Sequence, residues 1–309
     1  MKHLFIINPA AGKYDKTGEF TQKIRGICGE KGLKYEILVS RAAGDCTKIA
    51  QAAAATGEEL RIYACGGDGT LNEVVNGVAG CPNAAVTHYP GGTGNDFIKI
   101  FSEPSAFFDL ERLVDCEVRE FDLIRCGEDH YGLNVCSMGL DARIGTSVSK
   151  YKRLPLVSGS GAYILSTGVN LLKGIHKHYV VDIDGQVFDS RQTLICIANG
   201  RWYGGGFNPV PDAEPDDGYL HVLLIRDISL LTVPGVIGKF KKGLYKELPK
   251  YVRYFRCKRV KILCDERSEI NLDGELLMGK EATFEVVPRA VRFFYPKGLS
   301  YHAKTPAHT

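Results

Sequence analysis

The chain has 309 residues, 44% hydrophobic and 24% charged, with 39 Lys and Arg against 36 Asp and Glu for a net charge of +3. This length admits two domains with substantial cores, and the near-balanced charge excludes a protein held to nucleic acid by its global field. No apolar run approaches the ~18 residues that span a bilayer, so any membrane contact is expected to be peripheral. The ten cysteines include no CxxC pair and follow no secretory leader, which predicts reduced thiols in a cytoplasmic protein, not a disulfide framework or a metal cluster.

Lys2 to Ile7 reads as a first strand, ending in Asn8-Pro9-Ala10-Ala11-Gly12. A helix follows from Phe20 to Lys31, then a strand from Tyr35 to Val39 leading into Ser40 and Gly44-Asp45, then an alanine-rich helix from Thr47 to Ala55. A third strand, Leu60 to Cys65, runs into Gly66-Gly67-Asp68-Gly69-Thr70-Leu71-Asn72. Leu71, Val74, Val75 and Val78 then fall at i, i+3, i+4 and i+7, the apolar face of a helix. A fourth strand, Ala84 to Tyr89, runs into Pro90-Gly91-Gly92-Thr93-Gly94-Asn95-Asp96-Phe97, and Ile98 and Phe101 mark a further helix. Alternating strands and helices predict a mostly parallel sheet covered on both faces, with ligands beyond the carboxyl ends of its strands.

Glycines at a strand-to-helix turn let another group approach the backbone, and a helix N-terminus offers unpaired N–H groups with partial positive charge. Together they form a cradle for phosphate. Asp68 inside the cradle would repel phosphate unless a cation lies between them, so the pattern predicts a phosphate site that uses a divalent metal. A tight turn with an Asp or Thr cap would explain one such loop, but a second glycine loop with its own Thr and Asp follows at the next strand end.

The character changes near Glu120. Strand signals at Glu120 to Cys126, Tyr131 to Cys136, Tyr179 to Ile183, Thr193 to Ala198, Tyr219 to Ile225, Val260 to Cys264 and Thr283 to Val287 are flanked by Asp184-Gly185, Asp217-Gly218 and Asp273-Gly274 turns. Asp141 to Lys173 reads as helical with a break near Pro155 to Gly161. The expected division is an α/β domain over 1–125, a β-sandwich or barrel over 126–296, and a tail over 297–309 packing back on the first domain.

Gly66-Gly67-Asp68-Gly69-Thr70, the Pro90–Phe97 loop and Asp273-Gly274-Glu275 together resemble the diacylglycerol kinase catalytic-domain superfamily, in particular its soluble bacterial lipid kinases. The first loop alone is shared with NAD kinases. The resemblance implies an NAD kinase/diacylglycerol kinase-like α/β domain, a β-sandwich domain and an active site in the cleft between them. It further implies ATP contacts at Asn8, Pro9, Ala10, Ala11, Gly12, Ser40, Gly66, Gly67, Asp68, Gly69, Thr70, Leu71, Asn72 and Thr93. Ala11 stands where the family often has serine. Asp68 and Asp96 carry over as acids near a catalytic Mg2+, Glu275 as the proton acceptor and Asp273 as its neighbouring acid. Glu214, Asp217 and Tyr219 resemble a structural magnesium site.

Read by their chemistry alone, Asp273 and Glu275 stand two apart, which on a regular strand puts both carboxylates on one face, where one pKa would rise. Phosphoryl transfer needs positioning, charge neutralisation and a group that receives the alcohol proton. With the resemblance beside it, the reading is an ATP- and Mg2+-dependent lipid kinase acting on diacylglycerol or a related lipid. The alternatives are an NAD kinase-like enzyme and a non-catalytic nucleotide or lipid sensor. Ten Lys or Arg and one acid, Glu247, lie between Lys239 and Lys261, interleaved with aromatics. That stretch reads either as a surface for anionic membrane or as a solvated face. No nucleic-acid motif accompanies it, and a homodimer is the default assembly.

Overall fold

The computed structural model describes residues 1–140, 142 and 177–302. The helical segment expected between Asp141 and Lys173, and residues 303–309 of the tail, lie outside the described residues. In chain order the elements are β1 (Lys2–Ile7), α1 (Thr17–Glu30), β2 (Tyr35–Val39), α2 (Asp45–Ala54), β3 (Leu60–Gly66), α3 (Asp68–Val78), β4 (Ala84–Pro90), α4 (Leu110–Val114) and β5 (Cys116–Cys126). There follow β6 (His130–Gly132), β7 (Val135–Gly139), β8 (Lys177–Ile183), β9 (Gln186–Ala198), β10 (Leu220–Arg226), α5 (Val233–Lys241), β11 (Val252–Cys257), β12 (Arg259–Leu272) and β13 (Glu275–Pro296). The chain forms two compact units, Met1–Leu123 with Glu214–Gly218 and Val287–Thr309, and Ile124–Ala213 with Tyr219–Val286. The boundary expected at 296 thus falls earlier, at Val286, because the end of β13 pairs in parallel with β4 through Arg292↔Ala85 and Phe293↔Val86.

In the first unit the parallel order is β4-β3-β1-β2. These strands read as continuous apolar runs because helices cover both faces; every residue of β4 is buried. α1 buries Phe20, Ile24 and Cys28, and α3 buries the expected Leu71, Val74, Val75 and Val78. α2 and α3 touch through small residues: a Cβ on Gly77 would lie 2.5 Å from the Thr47 carbonyl oxygen. The helix expected after the second glycine loop is only one 3-10 turn, Phe97–Ile100, because the chain extends again at Phe101. Phe97, Phe101 and Phe121 all pack on Phe293, and Tyr301 from the tail meets Phe121 edge-on at 5.1 Å. The described part of the tail therefore belongs to the first unit.

The second unit is antiparallel. β10 lies between β9 and β11, β9 also pairs with β7 and β8, and β12 pairs with β7, β8 and the start of β13. Alternation along β9 and β10 sends side chains to two cores. Ile195, Ile197, Leu220, Val222 and Leu224 join the β8, β12 and β13 side chains, while Leu194, Cys196, Ala198, Leu223 and Ile225 meet α5 and Tyr245. Asp184-Gly185 and Asp273-Gly274 are two-residue hairpin turns with positive φ at both positions, 47° and 90° in the first and 51° and 98° in the second. That is the type I′ geometry that matches strand twist.

Candidate active site

Three loops at the carboxyl ends of β1, β3 and β4 pack backbone to backbone. The Gly66 carbonyl accepts from Gly91 N at 2.7 Å and Gly92 N at 3.2 Å. It also accepts from the ring of His88, whose Nε2 lies 2.9 Å away. Burial holds His88 neutral by lowering its pKa, so Nε2 carries the proton that it donates. The contacts leave no room for side chains. A Cβ on Gly92 would fall 2.6 Å from Gly67 Cα, and one on Gly12, at φ 91°, would fall 2.7 Å from the Gly91 carbonyl oxygen. Asn8 ties the first loop in place: its Nδ2 donates to Thr70 Oγ1 at 3.0 Å and its Oδ1 accepts from Ala10 N at 3.0 Å.

α3 begins at Asp68 with Gly67 as its extended N-cap, so Asp68, Gly69 and Thr70 form its first turn. Their N–H groups have no acceptor within the helix, which leaves the positive end of α3 beside the second loop. Asp68 Oδ1 accepts from Asp96 N at 2.5 Å, and Asp96 Oδ1 accepts from Lys99 Nζ at 2.5 Å. A Cβ on Gly94 would lie 2.6 Å from Asp68 Oδ2 and 3.7 Å from Asp96 Oδ2. Both second oxygens thus border one small space that only glycine leaves open. Burial pushes the Asp68 carboxyl above its usual range, and the charge of Asp96 adds to the rise. Asn95 Oδ1, at φ 48°, is buried and has no hydrogen-bond partner among the described residues.

This donor set fits a hard divalent cation. Mg2+ typically takes one or two carboxylates and completes its shell with water and substrate phosphate oxygens. The buried Asn95 oxygen, without a hydrogen-bond partner among the described residues, is a further neutral oxygen on the same loop.

The remaining expected nucleotide contacts fall into two groups. Pro9, Ala10, Ala11, Gly12, Gly69 and Thr93 lie on the loop surfaces, with Thr93 exposed. Leu71 packs into the core, Asn72 accepts from Asn76 Nδ2 at 3.2 Å, and the buried Ser40 turns its hydroxyl to the Cys46 thiol. Glu73, which closes the first glycine-loop stretch but carries no expected ligand contact, caps α2 by accepting from Gly44 N and Cys46 N at 3.0 and 3.1 Å.

In the second unit, Asp273 and Glu275 do not share a strand face. Asp273 occupies the hairpin turn and Glu275 opens β13 opposite Leu272. The Asp273 carboxylate accepts from three successive backbone amides: Leu133 N, Asn134 N at 3.0 Å and Val135 N at 2.7 Å. It anchors the β6–β7 turn. The Glu275 side chain is exposed and has no hydrogen-bond or ion-pair partner among the described residues. Burial raises the thiol pKa of Cys136, next to this anchor, and of Cys65, at the end of β3.

The Glu214–Gly218 segment is organised by Asp122, a carboxylate the sequence reading passed over because Phe121 and Leu123 made it look like a strand interior. Asp122 N donates to the Pro215 carbonyl at 2.6 Å, and Asp122 Oδ2 accepts from Gly218 N at 2.7 Å. Asp217 N reaches the Glu214 carbonyl at 3.4 Å, and Tyr219 lies under the Arg256 guanidinium at 3.9 Å. The described residues gather no group of three or more His, Cys, Asp or Glu able to hold a metal. The basic run from Lys239 resolves into α5, a 3-10 turn and edge strand β11. Many of its cations are locally engaged: Lys239 with Glu247, Lys246 with Asp212, Lys241 over Phe207 and Arg253 over Phe188.

A parallel sheet whose glycine turns meet at a helix N-terminus is followed in the chain by an antiparallel β unit. Residues 2–126 match the diacylglycerol kinase catalytic domain, and residues 134–295 match the YegS C-terminal NAD kinase beta sandwich-like domain. The chain is 27% identical over 287 residues to a Staphylococcus aureus strain MSSA476 protein named "Putative lipid kinase", covering 89% of this chain and 90% of that one. Its fold is similar to a diacylglycerol kinase from Bacillus anthracis, at a TM-score of 0.70 and 23% identity over 96% of this chain and 97% of that one. It is also similar to an Archaeoglobus fulgidus NAD kinase solved with ATP, at a TM-score of 0.53 and 14% identity over 96% and 94% of the two chains. The chain belongs to the YegS-type family of diacylglycerol kinase-like lipid kinases, and it is a kinase, a phosphotransferase with an alcohol acceptor. No described helix is long and apolar enough to cross a membrane.

Proposed function

We propose that the protein transfers the γ-phosphate of ATP, with Mg2+, to the hydroxyl of diacylglycerol or a related lipid. The observation that carries this reading is the junction of Gly66-Gly67 with Gly91-Gly92, beside two carboxylate oxygens and an orphaned amide oxygen. The first-turn amides of α3 and the glycine loops hold phosphate oxygens. Asp68 and Asp96, with Asn95 Oδ1, would hold Mg2+, whose charge neutralises phosphate oxygens when bound. Glu275 receives the proton of the attacking hydroxyl, since Asp273 already spends both oxygens on backbone amides. ATP as the donor is supported by the NAD kinase of similar fold solved with that nucleotide.

The lipid sits in a membrane, and one exposed apolar pair suits docking there. Leu231 is 94% exposed and Leu230 is 54% exposed, just before α5 and its Lys241 and Lys242. We place peripheral contact with anionic lipid at this edge of the second unit.

The test uses purified protein, γ-labelled ATP, Mg2+ and a panel of lipids in detergent micelles, with NAD in a parallel tube. Label on one lipid, lost in Glu275→Gln while ATP binding persists, supports the assignment. Label on NAD alone overturns it.

A further inference from the structure

The first unit carries an open surface groove of about 460 Å3 lined by Val118, Arg119, Glu120, Asp216, Arg289 and Arg292. Its lining shares no residue with the glycine loops. β5 supplies Arg119 and Glu120, the end of β13 supplies Arg289 and Arg292, and the Glu214–Gly218 segment supplies Asp216.

One buried carboxylate sets two of these walls. Asp122 is 1% exposed; its Oδ1 accepts from Arg289 N at 2.8 Å and its Oδ2 accepts from Gly218 N at 2.7 Å. Arg289 is held there at φ 53°, a backbone region that non-glycine residues seldom occupy. The guanidinium groups are oriented by neutral acceptors. Arg292 Nη1 donates to the Pro82 carbonyl at 2.6 Å, with Glu59 only at 3.9 Å, and Arg119 lies close to the Tyr295 hydroxyl. Arg289 has no side-chain partner among the described residues. Neutral partners fix the direction of a guanidinium without cancelling its charge. The acids are also partly free: Asp216 uses Oδ2 to accept from Tyr301 at 2.7 Å, and Glu120 has no partner among the described residues.

Arginine forks match phosphate oxygens in geometry as well as charge. Carboxylates on the same wall repel a bare polyanion but accept from hydroxyl groups. The volume lies in the range of small-ligand sites. We propose that this open groove binds a hydroxyl-bearing phosphate ester, with Arg119, Arg289 and Arg292 on the phosphate and Glu120 and Asp216 on the hydroxyls. Free glycerol phosphate and a lipid headgroup ending in the same group share this chemistry.

Calorimetric titration of the full chain tests it, with a non-hydrolysable ATP analogue in excess to occupy the glycine loops. The probes are sn-glycerol 3-phosphate, and neutral phosphatidylcholine vesicles with and without lysophosphatidic acid. Saturable binding of either probe is expected, weakened about tenfold in Arg119→Gln and in Arg289→Asn, a residue that tolerates positive φ. Thermal melts confirm that both variants fold. Binding of the free ester assigns the soluble source, and binding of the doped vesicles alone assigns the headgroup. Absence of binding by both probes, equal binding by wild type and both variants, or complete displacement by the ATP analogue overturns the proposal. If the analogue itself fails to bind, the ATP assignment falls, and the ester assignment is then decided by the Arg119 and Arg289 variants, which lie outside the glycine loops.

Discussion

Gly92→Ala isolates the contact on which the proposed phosphate site depends. The added methyl would lie 2.6 Å from Gly67 Cα and 3.2 Å from Asn95 Oδ1. Carbon atoms prefer about 3.5–4.0 Å, so the two loops must part by about 1 Å. The obstructing atom is backbone and cannot rotate away. Parting stretches the bonds from Gly91 N and Gly92 N to the Gly66 carbonyl, now 2.7 and 3.2 Å. Overpacking costs about 1–3 kcal/mol and each weakened hydrogen bond up to about 1 kcal/mol. A loss of about 2–4 kcal/mol in the clamp corresponds to about 30- to 1,000-fold weaker ATP binding if the clamp must reform around the nucleotide. Gly26→Ala is the matched control. Its methyl meets nothing within 4 Å on the exposed face of α1, so it should stabilise the protein by about 0.5–1 kcal/mol and leave ATP binding alone. Urea unfolding and ATP titration of both variants make the comparison. ATP affinity in Gly92→Ala equal to wild type would refute the reasoning.

Glu275→Gln should lower kcat for lipid phosphorylation by at least about 100-fold with ATP affinity unchanged, as single-turnover and binding measurements would show; retained turnover removes the proton-acceptor role. Asp273→Asn should instead lower stability by about 2–4 kcal/mol in urea, because an amide cannot accept from Leu133, Asn134 and Val135 together. A catalytic loss without a stability loss would assign Asp273 to chemistry. His3 is buried, with Nδ1 2.8 Å from the Tyr63 hydroxyl, and burial lowers its pKa from 6.5 to about 4. A lowered folded-state pKa means full stability above 6.5 and progressive loss as pH falls through 4. The loss is at most about 3 kcal/mol, and about half that after solvent screening. The stability–pH slope between 6.5 and 4 should flatten in His3→Gln; an unchanged slope assigns it to other groups. Leu231→Glu should reduce recovery with anionic vesicles in flotation at least about fivefold while sparing activity on micellar lipid; equal recovery excludes this edge as the docking surface.

What the sequence revealed follows from range. Strand-to-helix loops are local, so both glycine loops, the type I′ turns and the apolar face of α3 were readable from neighbouring residues. β13 was not readable in full, since only the parallel partner β4 shows that Arg292 and Phe293 belong to the first unit. The functions of Asp122 and His88 were hidden for the same reason. Each is a polar residue inside an apolar strand, with partners distant along the chain or reached only by folding. Asn95 was legible as part of a loop but not as an orphaned oxygen. The same-face expectation for Asp273 and Glu275 failed because a two-residue hairpin turn reverses the chain where a regular strand was assumed.

The buried cysteines turn the protein into its own reporter of motion. Only a thiolate reacts readily with alkylating reagents, and burial suppresses the thiolates of Cys65 and Cys136 while denying reagents access. Modification at either position therefore waits for a local opening, and its rate counts those openings. Cys65 sits at the end of β3 in the first unit, and Cys136 sits in β7 of the second, beside the Asp273 anchor. A single labelling time course, read by mass at each thiol, follows the breathing of the glycine-loop junction and of the β unit separately in the unmodified chain.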